Sequence, residues 1–163
     1  MPKQDRALRG PFLDKEYWEF HPEWLEYVKK TWEGRGRVEQ IKVQTEESLS
    51  FRDRAKRAFT ERGIPCRYVK TYLSIQVPVD GEGYDEQYPH IHSPLNATSL
   101  IHYLQPGDVP APLDVLESET GVVIETIYPE QGLTVFMPHK IWHGARKNHG
   151  TQNRIQLIAT ALQ

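Results

Sequence analysis

From Cys66 onward the chain is cut into short apolar runs divided by glycine and proline, with no helical stretch between them. That punctuation constrains the fold more than any other feature, because several short strands without interleaved helices pack as a sandwich or barrel. Arg67 to Val77 alternates and is rich in Tyr, Val, Ile and Thr, which reads as a strand. Val79 to Gln87 is a loop, with Asp80-Gly81-Glu82-Gly83 as turn chemistry. Thr98 to Leu104 is a strand closed by Gln105-Pro106-Gly107-Asp108. Leu113 to Leu116 and Val122 to Ile127 are two more. Leu133 to Met137 follows Gly132 and ends at Pro138, and Arg154 to Leu162 is the last.

The part before Cys66 has a different texture. Asp14 to Glu33 reads as helical, with Trp18, Trp24, Leu25, Val28 and Trp32 near helical spacing. Pro22 splits it, since proline suits the first turn of a helix and not its middle. Gly34-Arg35-Gly36 ends the stretch, and Val38, Ile41 and Val43 make a first strand. Thr45 to Arg62 is the second helix, with Phe51, Ala55, Ala58 and Phe59 on one face and Gly63-Ile64-Pro65 as its stop. The expectation is a single domain over residues 1–163. Residues 1–65 are its helical part, two helices that buttress a β-sandwich in residues 66–163.

Composition excludes several classes. At 163 residues the chain is long enough for one real core. No run approaches the ~18 apolar residues of a membrane span. MPKQDRALRG has charge but no apolar core, so no signal peptide is expected. Cys66 is the one cysteine, which rules out an internal disulfide and suits the cytoplasm. The net charge of -2 hides an asymmetry: residues 1–70 hold 16 Lys/Arg against 12 Asp/Glu, and the remainder 4 against 10. The basic excess is densest at Arg52-Asp53-Arg54-Ala55-Lys56-Arg57, read either as a solvated helix face or as a surface for an anionic partner.

Chemistry concentrates in three histidines. His90 and His92 in Tyr88-Pro89-His90-Ile91-His92 share one strand face, because side chains alternate along a strand. His143 follows a glycine turn, a buried strand and a proline exit. A fold that brings distant strands together lets it join the pair as a three-ligand metal site, and neutral imidazole suits iron, zinc, copper and nickel. His21, His102, His139 and His149 read as structural or solvated; His102 alternates with Tyr103, so the two face opposite ways. Arg154 opens the last strand, eleven residues after His143. Its planar fork matches a carboxylate. A dicarboxylate chelating the metal at one end would reach Arg154 at the other, with Tyr103 donating its hydroxyl to the same group. The plainer readings are a surface ion pair for Arg154 and a core aromatic for Tyr103.

With these residues in hand, Val69 to Leu162 resembles the Fe(II)/2-oxoglutarate-dependent oxygenases, specifically the prolyl 4-hydroxylase-like group. Tyr88-Pro89-His90-Ile91-His92 looks like the Tyr…His-x-Asp segment. Thr98 to Gln105 is similar to the strand ending in Tyr-Leu-Asn. Pro129 to Phe136 looks like Pro-x-x-Gly-x-Leu-Val-x-Phe, and His143-Gly144-Ala145 like His-x-Val. Gly150 to Leu157 resembles Gly-x-Arg-x-x-Leu. The resemblance implies a double-stranded β-helix, or jelly roll, with Fe(II) on His90, His92 and His143. It implies 2-oxoglutarate as co-substrate, its far carboxylate on Arg154 and Tyr103, and O2 as oxidant of a small-molecule or peptide substrate.

Two departures stand out. His92 replaces the aspartate, which makes a three-histidine set and removes a negative charge from the metal; Asp85 and Asp114 are the carboxylates that offer a substitute. Ala111-Pro112 replaces a Gly-Gly pair, which reshapes the substrate side. The alternatives are a three-histidine cupin-type dioxygenase, in which Arg154 has no necessary task, and a non-enzymatic jelly-roll binding module. No aromatic platform demands a nucleic acid, because a nucleobase would have to leave its stack. A free amino acid, a prolyl peptide and another small metabolite are all compatible substrates.

Overall fold

The computed structural model describes residues 13–34, 37–81, 83–84, 89–109, 111–119 and 121–163. Two antiparallel sheets face each other. The larger contains β1 (Asp14–Tyr17), β2 (Val38–Gln40), β3 (Tyr68–Gln76), β4 (Thr98–Gln105), β7 (Leu133–Pro138) and β9 (Arg154–Leu162), in the order β1-β7-β4-β9-β3-β2. The smaller contains β5 (Leu113–Leu116), β6 (Val123–Ile127) and β8 (Trp142–Ala145), in the order β6-β5-β8. Every pairing between these strands is antiparallel. This is the expected mainly-β jelly roll.

Helices α1 (Pro22–Thr31) and α2 (Glu46–Glu61) cover the outer face of the larger sheet. Pro22 starts α1, where a missing N–H costs nothing. Trp24, Tyr27 and Val28 then fall on one buried face. Thr45 caps α2 reciprocally with Ser48: the Ser48 amide donates to Thr45 Oγ1 at 3.3 Å, and the Thr45 amide donates to Ser48 Oγ at 2.8 Å. Phe51, Ala55, Ala58 and Phe59 turn inward from there. They meet Leu73, Ile75, Leu100, Leu104, Ile155 and Leu157 in one core. A second, smaller core, including Leu113, Val115, Val135 and Met137, fills part of the space between the sheets. Among the described residues no helix is long and apolar enough to cross a membrane.

The expected helix from Asp14 is corrected. Asp14–Tyr17 is an edge strand, with Asp14 opposite Phe136 and Tyr17 opposite Leu133. Its flanks explain the choice. Leu13 sits in the core between the sheets and Trp18 in the core beneath the helices. A strand turns residues of odd and even number to opposite faces, which one face of a helix does not allow. The close approach also requires Gly132, at φ +88°, since a Cβ there would lie 2.7 Å from the Trp18 carbonyl oxygen. The N-terminal part therefore contributes β1 and β2 as the two edges of the larger sheet, as well as both helices.

The basic stretch of α2 is partly used within the fold. Arg54 lies 4.3 Å above the Trp18 ring and 4.0 Å from Glu16, and Arg57 pairs with Glu61 at 3.8 Å.

Candidate metal centre and its cavity

Because the helices bury one face of β3, β4 and β9, the alternate residues of those strands face the other sheet. They line a cavity of about 380 Å³. Its floor includes Ser74 and Gln76 from β3, Ser99 and Tyr103 from β4, and Arg154 and Gln156 from β9.

His90, His92 and His143 stand in the same cavity, with their nearest ring nitrogens all within 4.8 Å of one another. Backbone pairing brings them there. His90 and His143 exchange both backbone hydrogen bonds, at 2.9 and 3.1 Å, and the His92 amide donates to the His139 carbonyl at 2.9 Å. His143 is itself carried by β8, opposite Val115 of β5. The sequence did not signal β8 as a strand, yet that short strand is what delivers the distal histidine. His92 Nε2 lies 3.2 Å from His90 Nε2 and 3.0 Å from His143 Nε2.

The protonation states follow from the surroundings. Burial, only partly offset by the Ile141 carbonyl, holds His143 down at about 3. Partial burial, with repulsion from His90 and His139, holds His92 at about 4. Both are therefore neutral near pH 7. His143 Nδ1 lies 2.9 Å from the Ile141 carbonyl, to which it donates, so the lone pair belongs to Nε2, which faces the cluster. Three imidazoles with converging nitrogens are a donor set suited to a first-row divalent metal.

A fourth histidine backs the cluster. The His139 ring centroid lies 5.2 Å from that of His92. Both of its nitrogens are engaged, Nδ1 with the Pro94 carbonyl at 2.9 Å and Nε2 with Ser99 Oγ at 2.7 Å, which in turn meets Thr160 Oγ1 at 2.8 Å. With no free lone pair it is structural, as expected, although it is buried and not a loop surface residue.

Asp114 does not supply the carboxylate. It accepts from Arg146 Nε at 2.8 Å, Tyr84 Oη at 2.9 Å and Thr126 Oγ1 at 3.1 Å. Its register partner is Gly144, one residue from the Val115–His143 pair, so alternation turns it away from the cluster. Asp85 and Tyr88 lie outside the described residues. Among the described residues the cluster contains histidine only.

Arg154 is 2% exposed and is not a surface ion pair. Its Nε donates to Gln76 Oε1, Nη1 to the Ala111 carbonyl and Nη2 to the Arg146 carbonyl. Ala111, which stands where a glycine pair was expected, thus acts at the arginine end of the cavity. Tyr103 is also buried within the cavity wall. Burial pushes its hydroxyl up to about 12, against a smaller opposing pull from the Arg154 charge, so it stays protonated and able to donate. His102, next in sequence, points the other way, beneath the helices, stacked on Trp18 at 4.8 Å. Gln76 and Gln156 were not singled out from the sequence; a two-residue period counted from Arg154 would have found Gln156.

No family model matches this chain, and no curated protein does so either. Solved structures do. The viral collagen prolyl hydroxylase of Paramecium bursaria Chlorella virus-1 superposes with a TM-score of 0.63 at 11% identity, over 93% of this chain and 90% of that one. A Pseudomonas putida prolyl-4-hydroxylase superposes with a TM-score of 0.60 at 14% identity, over 98% and 96%. HygX of Streptomyces hygroscopicus, solved with nickel and 2-oxoglutarate bound, gives 0.62 at 10% identity, over 99% and 87%. This chain is thus built on the jelly-roll fold of structures that include two prolyl hydroxylases and HygX.

Proposed function

We propose that the chain is an Fe(II)- and 2-oxoglutarate-dependent oxygenase, with His90, His92 and His143 as metal ligands and Arg154 and Tyr103 as the site for the far carboxylate of 2-oxoglutarate. The observation that carries this reading is the sharing of one cavity by three convergent imidazoles and a buried arginine. Fe(II), when bound, supplies the redox chemistry that couples oxidative decarboxylation of 2-oxoglutarate by O2 to oxidation of a second, small-molecule or peptide substrate.

The chain's own residues set the binding terms. Neutral His92 and His143 take up a cation without first releasing protons. The Ile141 carbonyl fixes the His143 ring so that Nε2 faces inward. The carbonyls of Ala111 and Arg146 and the Gln76 amide hold the Arg154 guanidinium in place before a ligand arrives. Such preorganisation spares the ligand an ordering cost. Tyr103, kept protonated, adds a neutral donor beside that charge.

A second reading has one observation behind it. The absence of a carboxylate from the described cluster favours a three-histidine dioxygenase that does not use a 2-oxo acid. One experiment separates the two. The metal-free protein is titrated anaerobically with Fe(II) and then with 2-oxoglutarate while the weak visible charge-transfer band of a chelated keto acid is monitored. A band that needs both ligands is the expected result. Arg154→Met should keep the iron and lose 2-oxoglutarate affinity on the order of 100-fold. Iron bound without a band selects the three-histidine dioxygenase. Neither iron nor band leaves a jelly-roll binding module.

A further inference from the structure

The fixed charges that line the cavity are all of one sign. Arg37, Lys70 and Arg154 line it, and among the described residues no carboxylate does. Arg154 is held by Gln76 and two backbone carbonyls. Lys70 is exposed at the rim, and Tyr72 is half-buried beside it. Neither side chain has a hydrogen-bond or ion-pair partner among the described residues. They stand two residues apart on β3, so both face the cavity, about 7 Å apart along the strand. A lysine ammonium has only donors to offer, and the tyrosine hydroxyl adds a neutral one.

Their position separates them from the Arg154 end. Arg154 pairs with Gln76 and Thr160 with Lys70, so the two pairs lie at opposite ends of the β3–β9 ladder, about 20 Å apart. The Arg154 guanidinium also points across to the Ala111 and Arg146 carbonyls. Extended 2-oxoglutarate has its two carboxyl carbons only about 5 Å apart, so one molecule held at Arg154 does not reach Lys70. The histidines lie between the two ends. Arg146, just after β8, meets Arg154; His143 is within β8; His139, before β8, meets Ser99, which bonds Thr160, the register partner of Lys70. Between the Lys70 row and the Gln156 row runs Ile101–Ile158–Tyr72, so the wall beside the histidines is largely apolar.

We propose that the second substrate is an aliphatic carboxylic acid, its carboxylate held by Lys70 Nζ and Tyr72 Oη at the rim and its hydrocarbon part laid along Ile101 and Ile158 towards the histidines; the inference rests on the function proposed above. One lysine and one neutral hydroxyl balance a single negative charge. A phosphate monoester carries about 1.5 to 2 at pH 7 and calls for a second cation beside the first. The apolar row explains the rest of the molecule, because a hydrocarbon segment is what such a wall takes out of water.

The test uses the full chain loaded with Ni(II) and one equivalent of 2-oxoglutarate, titrated calorimetrically with hexanoate, with its neutral counterpart hexanamide and with butyl phosphate. Hexanoate should bind most tightly of the three. Lys70→Met should weaken hexanoate roughly tenfold or more, since a hydrogen bond between two charged groups is lost. It should leave Ni(II) uptake and the affinities for 2-oxoglutarate and hexanamide unchanged. Tyr72→Phe should weaken hexanoate a fewfold with the same controls. Wild-type hexanoate affinity in Lys70→Met overturns the inference. Equal weakening of hexanoate and hexanamide does so too, because it marks a change of shape and not of charge. Butyl phosphate binding more tightly than hexanoate overturns the choice of a carboxylate. Failure of 2-oxoglutarate to bind the wild-type Ni(II) protein refutes the parent reading, and this one with it. Binding of 2-oxoglutarate with none of hexanoate overturns this inference alone.

Discussion

The two faces of the larger sheet are made from the same strands and do opposite things. On β9 the residues Ile155, Leu157, Ala159 and Ala161 face the helices, while Arg154, Gln156 and Thr160 face the cavity. On β3 the split is Leu73 and Ile75 against Lys70, Tyr72, Ser74 and Gln76. One face is dry and holds the fold together; the other keeps polar groups around an open volume. Histidine shows the difference most sharply. His102 sits at 0% exposure in the dry core, while His90, His92 and His143 line the cavity. Position in the alternation, and not residue type, separates structure from candidate chemistry.

The strongest way to break this comparison is a crossed pair of substitutions. Leu157→Ala removes three heavy atoms of packing from the dry face and should cost about 2–5 kcal/mol of stability while the folded protein still binds metal. His143→Ala should do the reverse, abolishing stoichiometric Ni(II) uptake while costing about 1 kcal/mol or less for the lost bond to the Ile141 carbonyl. Denaturant unfolding and metal calorimetry on both variants give the four values. Equal destabilisation by both, or loss of metal from folded Leu157→Ala, would show that the faces are not independent.

A smaller effect sharpens the contrast between the histidines. In the unfolded chain His102 takes up a proton below about pH 6.5. In the folded chain burial first, then the charges of His21 and Arg54, hold it down to about 3. Between those values the unfolded state binds more protons, so the folded state loses stability as pH falls, by up to about 1.4 kcal/mol per pH unit for this one group. Compared with wild type under the same metal loading, His102→Leu should show a shallower loss of stability between pH 6.5 and 4. Identical slopes would mean that His102 is not the neutral, buried group described.

Much of this arrangement was legible beforehand, and the reasons for the failures are physical. Alternation along Thr98 to Leu104 already separated Tyr103 from His102, and the place of Arg154 at the start of the last strand, eleven residues after His143, already put it beside the histidines. The span Thr45 to Arg62, with its Gly63 stop, bounded α2 to within a residue at each end. β1 was misread because Asp14 to Tyr17 contains no buried apolar pattern of its own; its pairing with β7 comes from Leu13 and Trp18 at its two ends. β8 was missed because Trp142 to Ala145 is four residues of mixed character, made a strand by β5 beside it. The direction of Asp114 depends on that same register. Pairings between distant segments leave no periodic mark in either one.

The smallest expected effect probes His92, proposed above as a metal ligand. His92 lies at the outer, exposed edge of the cluster, so a substitution there disturbs little packing. In His92→Asp the side chain brings a negative charge to within reach of any bound cation, and an unperturbed aspartate is ionised above about pH 3.9. Carboxylate oxygens suit Mn(II) better than imidazole does, whereas imidazole suits nickel. The variant should therefore keep its metal and show an affinity ratio of Mn(II) to Ni(II) raised by a fewfold, read by competition calorimetry. An unchanged ratio would mean that position 92 is not in contact with the metal. Complete loss of metal would mean that the shorter aspartate fails to reach a site whose geometry is set by imidazole length, so that the three-histidine set is a requirement of this cavity and not a tolerated exchange.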